Sequence, residues 1–491
     1  MNNLPFISII VSMASAVILL LLGRRAELAQ KIAQGVLILV AVCAAVMIPY
    51  FLSNPEPITY MLGHYPSPWG NELRFGLLES ILAFVFSTVL LLAILGGKKD
   101  IVEDIQSRKR NQYYALLMLL LLSLLALIYT NDIFTAYVFI EINTVASCGI
   151  VMVKESGETL RATIKYLFMS LMASGLFLIS IAILYSITGQ LLIPALAESV
   201  KGLVESGQYT WPLYTAGALI TISLGVKSAM FPFHTWLPDA HGTATTASSS
   251  ILSGVVVKGY IILLIKIYYR VFGIEVVQNM GILNVLLALG MAGMIFGSFF
   301  AIKETNIKRM IAYSSVAQIG YIYAGIGIGS YAGLAAALFH MIVHAYTKPL
   351  LFSSAGGLIQ ASNHSKLIKH LVGAGKRNKL AGIGFLIGSL SMVGVPLFAG
   401  FTSKLYLATS ASDKGYLFLI ALALSSFLNA LYYLPVVLKI YGKSEEVLEE
   451  ENEKSDFSYT MSILCFSIVN IVLGIGGIYV MHLLNQGVQL L

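Results

Sequence analysis

The chain has 491 residues, of which 57% are hydrophobic and 11% are charged, whereas a soluble globular protein carries about 25% charged residues. So few charged side chains cannot cover a water-facing surface, and apolar runs of about 20 residues recur along the chain. This composition excludes a soluble enzyme, a disordered chain and a nucleic-acid-binding protein. It predicts an all-α polytopic membrane protein. The basic residues behind the net charge of +7 are therefore considered first for their role in membrane topology.

Fourteen apolar spans are predicted in chain order. They lie near residues 4–22, 31–53, 75–96, 112–130, 132–153, 163–187, 212–231, 248–270, 279–301, 310–329, 331–355, 380–409, 416–438 and 460–484. The first run has no basic segment before it, so we expect a retained helix rather than a signal peptide. Pro232 follows the seventh span and Pro396 with Gly400 interrupts the twelfth. Both helices are therefore expected to be broken.

The basic residues are distributed unequally between the two sides of these spans. Of the 31 Lys and Arg residues, 22 fall after odd-numbered spans and five on the opposite side. The five are Arg74, Lys201, Lys266, Arg270 and Lys414. By the positive-inside rule, the loops that follow odd-numbered spans face the cytoplasm. Both termini then lie on the outer side of the cell inner (plasma) membrane. The Glu-rich run 445–456 is then a solvated part of the last cytoplasmic loop.

Four lysines remain, and all lie within predicted spans: Lys227, Lys258, Lys348 and Lys404. A charge at mid-bilayer costs at least ~2.5 to 3.5 kcal/mol, so each needs a compensating reason. Snorkelling to the headgroups is the structural alternative; it explains Lys258 and Lys227 poorly and stays open for the other two. Glu141 lies mid-span and needs a partner. A Glu141–Lys227 pair that forms and breaks would move a proton on and off the lysine.

His340, His344 and Lys348 are spaced i, i+4, i+8 and therefore share one face of a helix. Imidazole exchanges protons near neutral pH, so this row is typical of a proton relay. The alternative is a two-histidine metal site, which the neighbouring lysine and the lack of a nearby carboxylate disfavour. The three cysteines are isolated in the sequence, and no cofactor or metal is expected.

The two broken helices, each bearing a lysine, indicate an internal duplication. Spans four to eight and nine to thirteen form blocks of five, and an odd number of crossings inverts the second copy. The predicted divisions are an N-terminal unit 1–111, a first repeat 112–271, a second repeat 272–440 and a C-terminal helix in 441–491.

Several motifs in this order resemble those of the antiporter-like membrane subunits of respiratory complex I, of Mrp-type cation/proton antiporters and of membrane-bound hydrogenases. They are FPFHTWLPDAH, SILSGVVVKGY with Lys258, the His340 to Lys348 row and GFTSK with Lys404. The resemblance implies fourteen core helices, two inverted five-helix repeats and proton transfer along a central polar axis. One departure is GTATTASSSILSG after the first motif, where many members have an acidic, proline-containing stretch.

Carried over by position, the resemblance implies a proton relay. Its members are Glu141, Lys227, Lys258, His340, His344, Lys348 and Lys404. Secondary candidates are Asp132, His234 and Asp239; for Asp132, which lies near a helix end, a role as a cap or interface anchor is an open alternative. The length is similar to that of the two smaller complex I subunits, the D-type Mrp subunit and the corresponding hydrogenase-like or sulfane-sulfur reductase subunits.

The expected function is that of a proton-translocating subunit in a redox-driven ion pump or an Mrp-type Na+/H+ antiporter, without redox chemistry of its own. The implied partners are other membrane subunits of the same complex, including homologous antiporter-like subunits, together with the lipid bilayer and, in some complexes, peripheral redox subunits. Three alternatives stay open: a sodium-conducting subunit, a stand-alone secondary transporter and a structural scaffold.

Overall fold

The computed structural model describes most of the chain. The described residues are 3–23, 25–65, 70–411, 416–443 and 456–491. Lys414 and all but the last residue of the run 445–456 fall outside this part, as do Arg24 and Lys454, two of the 22 basic residues that follow odd-numbered spans.

The N-terminal part forms long helices and one small antiparallel sheet, which the sequence pattern did not predict. In chain order the elements are α1 (Leu4–Leu21), α2 (Ala26–Ser53), β1 (Ile58–Met61), β2 (Glu72–Phe75), α3 (Leu77–Gly96), α4 (Lys98–Asp104) and α5 (Arg110–Tyr129). The two strands pair with Ile58 opposite Phe75.

The middle of the chain alternates long helices with short connecting ones. These elements are α6 (Ile133–Met152), α7 (Gly157–Thr188), α8 (Ile193–Glu205), α9 (Thr210–Lys227), α10 (Leu237–Thr243), α11 (Thr246–Ile251), α12 (Val257–Ile267) and α13 (Ile274–Asn279). The π-helical turn Leu252–Val256 joins α11 to α12, and a second π-helical turn, Tyr268–Phe272, extends α12 at its C-terminal end. Residues 246–272 therefore form one continuous helical run.

The last part contains the longest buried helix. Its elements are α14 (Ile282–Lys303), α15 (Ile307–Gly327), α16 (Tyr331–Gln360), α17 (Ala374–Arg377), α18 (Lys379–Val393), α19 (Ala399–Ser410), α20 (Tyr416–Ile440), α21 (Phe457–Ile475) and α22 (Gly477–Gln489). The single span expected over 460–484 is divided between α21 and α22.

Eleven helical runs in the described residues are long and apolar enough to cross a membrane. The polytopic all-α class is therefore confirmed. The three remaining predicted spans are also helical: α9, α15 and the pair α18–α19. The total of fourteen crossings and the two inverted repeats stay predictions.

Two runs lie at the centre of the molecule, and the rest surround them. The most apolar stretches of 246–272 and of α16 are completely buried, whereas those of α1, α20 and α21 are only one-third buried. The outer helices expose large apolar side chains such as Ile420 and Ile468, as expected for helices that face lipid. Charged side chains on the two central runs are therefore shielded from lipid by protein.

Both predicted helix breaks are present. α9 ends at Lys227 and a 3-10 turn follows at Phe233–Trp236, while α18 ends at Val393 and α19 begins at Ala399. Gly394 ends α18 with a φ of +93°, a conformation that favours glycine. A Cβ at Gly400 would lie 1.7 Å from the Ser391 carbonyl oxygen, so the second break also requires glycine there.

The assignment of Lys266 and Arg270 to an outer loop was wrong. Lys266 lies inside α12 with 2% of its surface exposed, and Arg270 lies in the π-helical turn that extends this helix. The Lys266 ammonium donates to the carbonyls of Leu127, Ile128 and Thr130, where it caps the C-terminal end of α5. Basic residues near a helix end can thus be buried structural caps rather than topological markers.

Candidate functional site

A set of ionisable side chains lies buried in the interior of the molecule. Lys227, Lys258, His340, His344 and Lys348 have no exposed surface, and Lys404 has 5%. Glu141 is half-buried. We call this set, Glu141 included, the central axis.

Lys227 is held by a hydroxyl in this structure rather than by the predicted carboxylate. Its Nζ donates to Thr144 Oγ1 at 2.8 Å and lies 5.5 Å from the centroid of the Tyr260 ring. Glu141 is one helical turn before Thr144 on the same face of α6, and its buried Oε1 has no hydrogen-bond partner among the described residues. Thr144 therefore offers Lys227 an alternative partner beside the carboxylate.

Lys258 lies one residue after the start of α12, next to the π-helical turn Leu252–Val256. Its ammonium donates to the backbone carbonyl of Ser253 inside that turn. A π-helical turn displaces the backbone from regular α-helical bonding and commonly occurs at functional sites. The turn thus provides a backbone acceptor for a lysine that is buried at the centre of the protein.

The three residues of the α16 row have different surroundings. His340 Nδ1 lies 2.9 Å from Ser403 Oγ on α19, whereas neither ring nitrogen of His344 has a partner among the described residues. Lys348 Nζ donates to the Ile311 carbonyl at 3.1 Å and to the hydroxyl of Ser314. The His340 end of the row therefore approaches α19, and the Lys348 end approaches α15.

Lys404 occupies the break between α18 and α19. Its Nζ donates to the carbonyls of Met392 at 2.8 Å and Val393 at 3.0 Å, where the α18 carbonyls lack partners within the helix. The same ammonium lies 5.2 Å from the centroid of the Tyr321 ring, and His340 packs against that ring with a centroid separation of 5.1 Å. Lys404 and His340 are therefore neighbours through Tyr321.

The contacts of the three secondary candidates are with residues outside the central axis. Asp132 accepts from the Thr135 amide at the N-terminus of α6, which is a helix cap. His234 packs between aromatic rings, with centroids 5.4 Å from Phe231 and 5.9 Å from Phe300. The Asp132 contact fits the structural alternative, and the His234 ring lies in an aromatic cluster.

Asp239 belongs to an ion cluster between helices. Its two oxygens accept from Lys165 at 2.7 Å and Arg309 at 2.6 Å, and Arg309 also binds Glu304 at 3.0 Å. Burial raises the pKa of the Asp239 carboxyl, but the hydrogen bonds from Lys165 and Arg309 outweigh that effect and lower it below the ordinary value. The cluster ties α7, α10 and α15 together.

Because the pKa of Asp239 is lowered in the folded protein, its ionised form stabilises the fold above the unfolded pKa of about 4 and loses this effect as the pH falls. We expect Asp239→Asn to lower the thermal unfolding midpoint by about 2 °C at pH 7, since the pairs are partly exposed. The difference from the native chain should shrink below about pH 4. A thermal shift series across pH measures it; an equal difference at all pH values would contradict this account.

No group of three or more His, Cys, Asp or Glu side chains suited to a metal ion occurs among the described residues. The two-histidine alternative at His340 and His344 therefore has no third protein ligand in that part of the chain.

Sequence reasoning missed the hydroxyl and carbonyl partners of the axis as well as Lys266 and the buried Lys308. Lys308 has 4% exposure and donates to the Ala244 carbonyl at 2.9 Å. A signal existed for Lys266, because it interrupts the apolar run YIILLIKI eight residues after Lys258. Lys308 follows a helix start in the pattern of an ordinary loop cation, so the sequence offered no comparable signal.

The chain is similar in sequence to membrane subunits of two kinds of complex. The N subunit of the NADH-quinone oxidoreductase of Desulforudis audaxviator is 33% identical over 401 residues, 81% of this chain and 78% of the relative. The D-type subunit of the Na(+)/H(+) antiporter of Bacillus subtilis is 24% identical over 492 residues, 100% of this chain and 97% of the relative.

A solved structure, that of the archaeal membrane-bound sulfane sulfur reductase, contains a chain with a TM-score of 0.85 and 26% identity. The match covers 99% of this chain and 96% of the other. Residues 130–429, which carry the entire central axis, match the family described as NADH:quinone oxidoreductase/Mrp antiporter, transmembrane. The chain belongs to that family of antiporter-like membrane subunits.

Proposed function

We propose that this chain carries protons across the membrane as one subunit of a multi-subunit complex. The observation that supports this most strongly is the burial of the central axis, in which six Lys and His side chains are at least 95% buried. Burying one such group without a partner is costly. A row of them through the interior is best explained by a function that needs ionisable groups there.

In the proposed mechanism, a proton is first held at Lys227, beside Glu141. It then passes to Lys258 on α12, to the His340–His344–Lys348 row and out by way of Lys404. Movement of Lys227 between the Thr144 hydroxyl and the Glu141 carboxylate changes how strongly the lysine holds its proton. The Glu141–Lys227 pair is thus the electrostatic switch of the first half of the axis.

The driving reaction comes from partner subunits. The relative from Desulforudis audaxviator is a subunit of an NADH-quinone oxidoreductase and the one from Bacillus subtilis is a subunit of a Na(+)/H(+) antiporter. We propose that this chain works in a complex of one of these kinds, in the plasma membrane and with both termini outside. The side chains of the axis are not redox groups, so its protons respond to events elsewhere in the complex.

A sodium path is the second candidate, because one relative is named for sodium exchange. Lysine cannot ligate Na+, whereas carboxylates can, and Glu141 is the carboxylate of the axis. A sodium path through this chain would therefore depend on Glu141 and tolerate loss of the lysines.

Replacing Glu141 with Gln distinguishes the two. In the proton mechanism we expect proton translocation to fall by about tenfold or more, because Lys227 loses its switching partner. The measurement uses the complete complex in liposomes, with a pH dye and a sodium-tracer flux recorded in parallel. If sodium flux disappears in Glu141→Gln but persists in Lys258→Ala, the sodium path is correct and the proton path is wrong.

A further inference from the structure

We propose that the serine pair Ser314–Ser315 on α15 relays protons between Lys258 and Lys348, and so joins the two halves of the central axis. The inference deepens the proposed function and rests on it. It assigns a transport role to residues that the sequence pattern did not single out, and it rests on contacts that converge on α15 from both sides.

The first contact links α15 to the lysine of α12. Lys258 donates to the backbone carbonyl of Ser253, and the hydroxyl of the same serine lies 3.0 Å from Ser315 Oγ. Ser253 and Ser315 are both about 1% exposed. Ser253 therefore contacts Lys258 through its backbone carbonyl and α15 through its hydroxyl.

The second contact links α15 to the lysine of α16. Lys348 donates to the hydroxyl of Ser314, which is itself 2.6 Å from the phenol oxygen of Tyr433 on α20. Lys348 also donates to that phenol at 3.3 Å. The Ser314 hydroxyl, the Lys348 ammonium and the Tyr433 phenol thus contact one another, and all three residues are buried.

The two contacts meet on one carbonyl. Ser315 Oγ and Lys348 Nζ are each 3.1 Å from the Ile311 oxygen, so the two atoms are at most about 6 Å apart, a gap that one water molecule can bridge. One short interval therefore separates Ser315 Oγ from the ammonium of Lys348.

Hydroxyls are suited to this role because each can accept one proton while releasing another. The Lys258 ammonium turns from the Ser253 carbonyl and gives a proton, directly or through one water, to Ser253 Oγ, whose own proton passes to Ser315 Oγ. Ser315 turns its hydroxyl away from the Ile311 carbonyl and passes its proton, directly or through one water, either to the neutral Lys348 amine or to Ser314 Oγ, whose own proton then passes to that amine. Lys258 ends neutral, Lys348 ends protonated, and every serine keeps one proton.

A purely structural role is the alternative, since serines in membrane helices often bond to their own backbone four residues back. Ser315 does so with Ile311. That role predicts that removal of the hydroxyl changes helix packing slightly and leaves transport intact, whereas the relay predicts a specific loss of transport.

The test replaces Ser315 with Ala in the complete complex, reconstituted in liposomes and driven by its own energy source. We expect proton translocation to fall about five- to tenfold, because a relay step loses its donor and acceptor. Ser315→Thr, which keeps a hydroxyl, should retain most of the rate. Ser12→Ala is the matched control: Ser12 is equally buried and bonds its own helix at 2.7 Å, but lies on α1.

Ser253→Ala should cause a similar loss, and the double variant should be little worse than either single one, because both remove the same step. Complex abundance after purification separates failed assembly from failed transport. Native rates in Ser315→Ala and Ser253→Ala, with Lys348→Ala inactive, would overturn the relay and leave the proposed function standing. Native rates in Lys348→Ala as well would overturn the proposed function.

Discussion

Replacing Lys227 with Ala should reduce proton translocation by about 100-fold or more, the range lost when a proton-transferring group is removed. Lys227 ends α9 at the first helix break and contacts the Thr144 hydroxyl at 2.8 Å. Without its ammonium, nothing in the mechanism holds the proton that passes to Lys258. The Glu141 carboxylate would also lose the cation that balances it.

Lys227→Arg makes the test specific for proton release. Guanidinium keeps the positive charge but does not deprotonate in proteins, so we expect Lys227→Arg to be as inactive as Lys227→Ala. The assay records the internal pH of liposomes that contain the complete complex under its own driving reaction. Lys201→Ala, a change at an exposed lysine that pairs with Glu205, controls for loss of charge. Activity in Lys227→Arg close to the native level would show that this lysine acts only as a fixed charge.

The sequence was sufficient to identify the charged members of the axis, for a physical reason. An ionised side chain within an apolar span is so costly that its position alone marks it. Lys258 and Lys348 therefore stood out, and both are buried. The helix breaks were also predicted, because Pro232 and Pro396 remove a backbone donor. Proline alone does not decide a break, since Pro349 lies inside α16.

The partners of these residues could not be predicted in the same way. Thr144 and Lys227 are separated by 83 positions, and their contact depends on how α6 and α9 pack. Serine and threonine are also tolerated throughout membrane helices, since they satisfy their hydroxyls on their own backbone. Nothing in the sequence therefore distinguishes Ser315 on α15 from Ser12 on α1.

Lys266 shows the same limit for a charged residue. It was assigned to a loop because it lies near a span end, where a basic residue ordinarily faces water. In the folded chain it caps α5, and the carbonyl of Thr130 that it binds lies 136 positions earlier. The count of loop charges still predicts a topology, but a single basic residue can be either a loop cation or a buried helix cap.

Replacing Lys404 should separate two functions that its position combines. Its ammonium satisfies the carbonyls of Met392 and Val393 at the end of α18, where a cation is favourable. It is also the last proton carrier of the proposed route. We expect Lys404→Met to lose about 100-fold or more of the translocation rate and about 1 to 3 kcal/mol of stability, because two carbonyls lose their partner.

Lys404→Arg should keep much of the stability, since a guanidinium can donate to the same carbonyls, but not the translocation, since it does not release a proton. Lys266 is the matched control. It caps the C-terminal end of α5 in the same manner and lies outside the proposed route. Lys266→Arg should therefore assemble and translocate protons near the native rate. Thermal midpoints and proton fluxes of the three variants in the complete complex show whether Lys404 carries protons. If Lys404→Arg translocates protons as well as Lys266→Arg, Lys404 is only a helix cap, and the route must leave the axis at another residue.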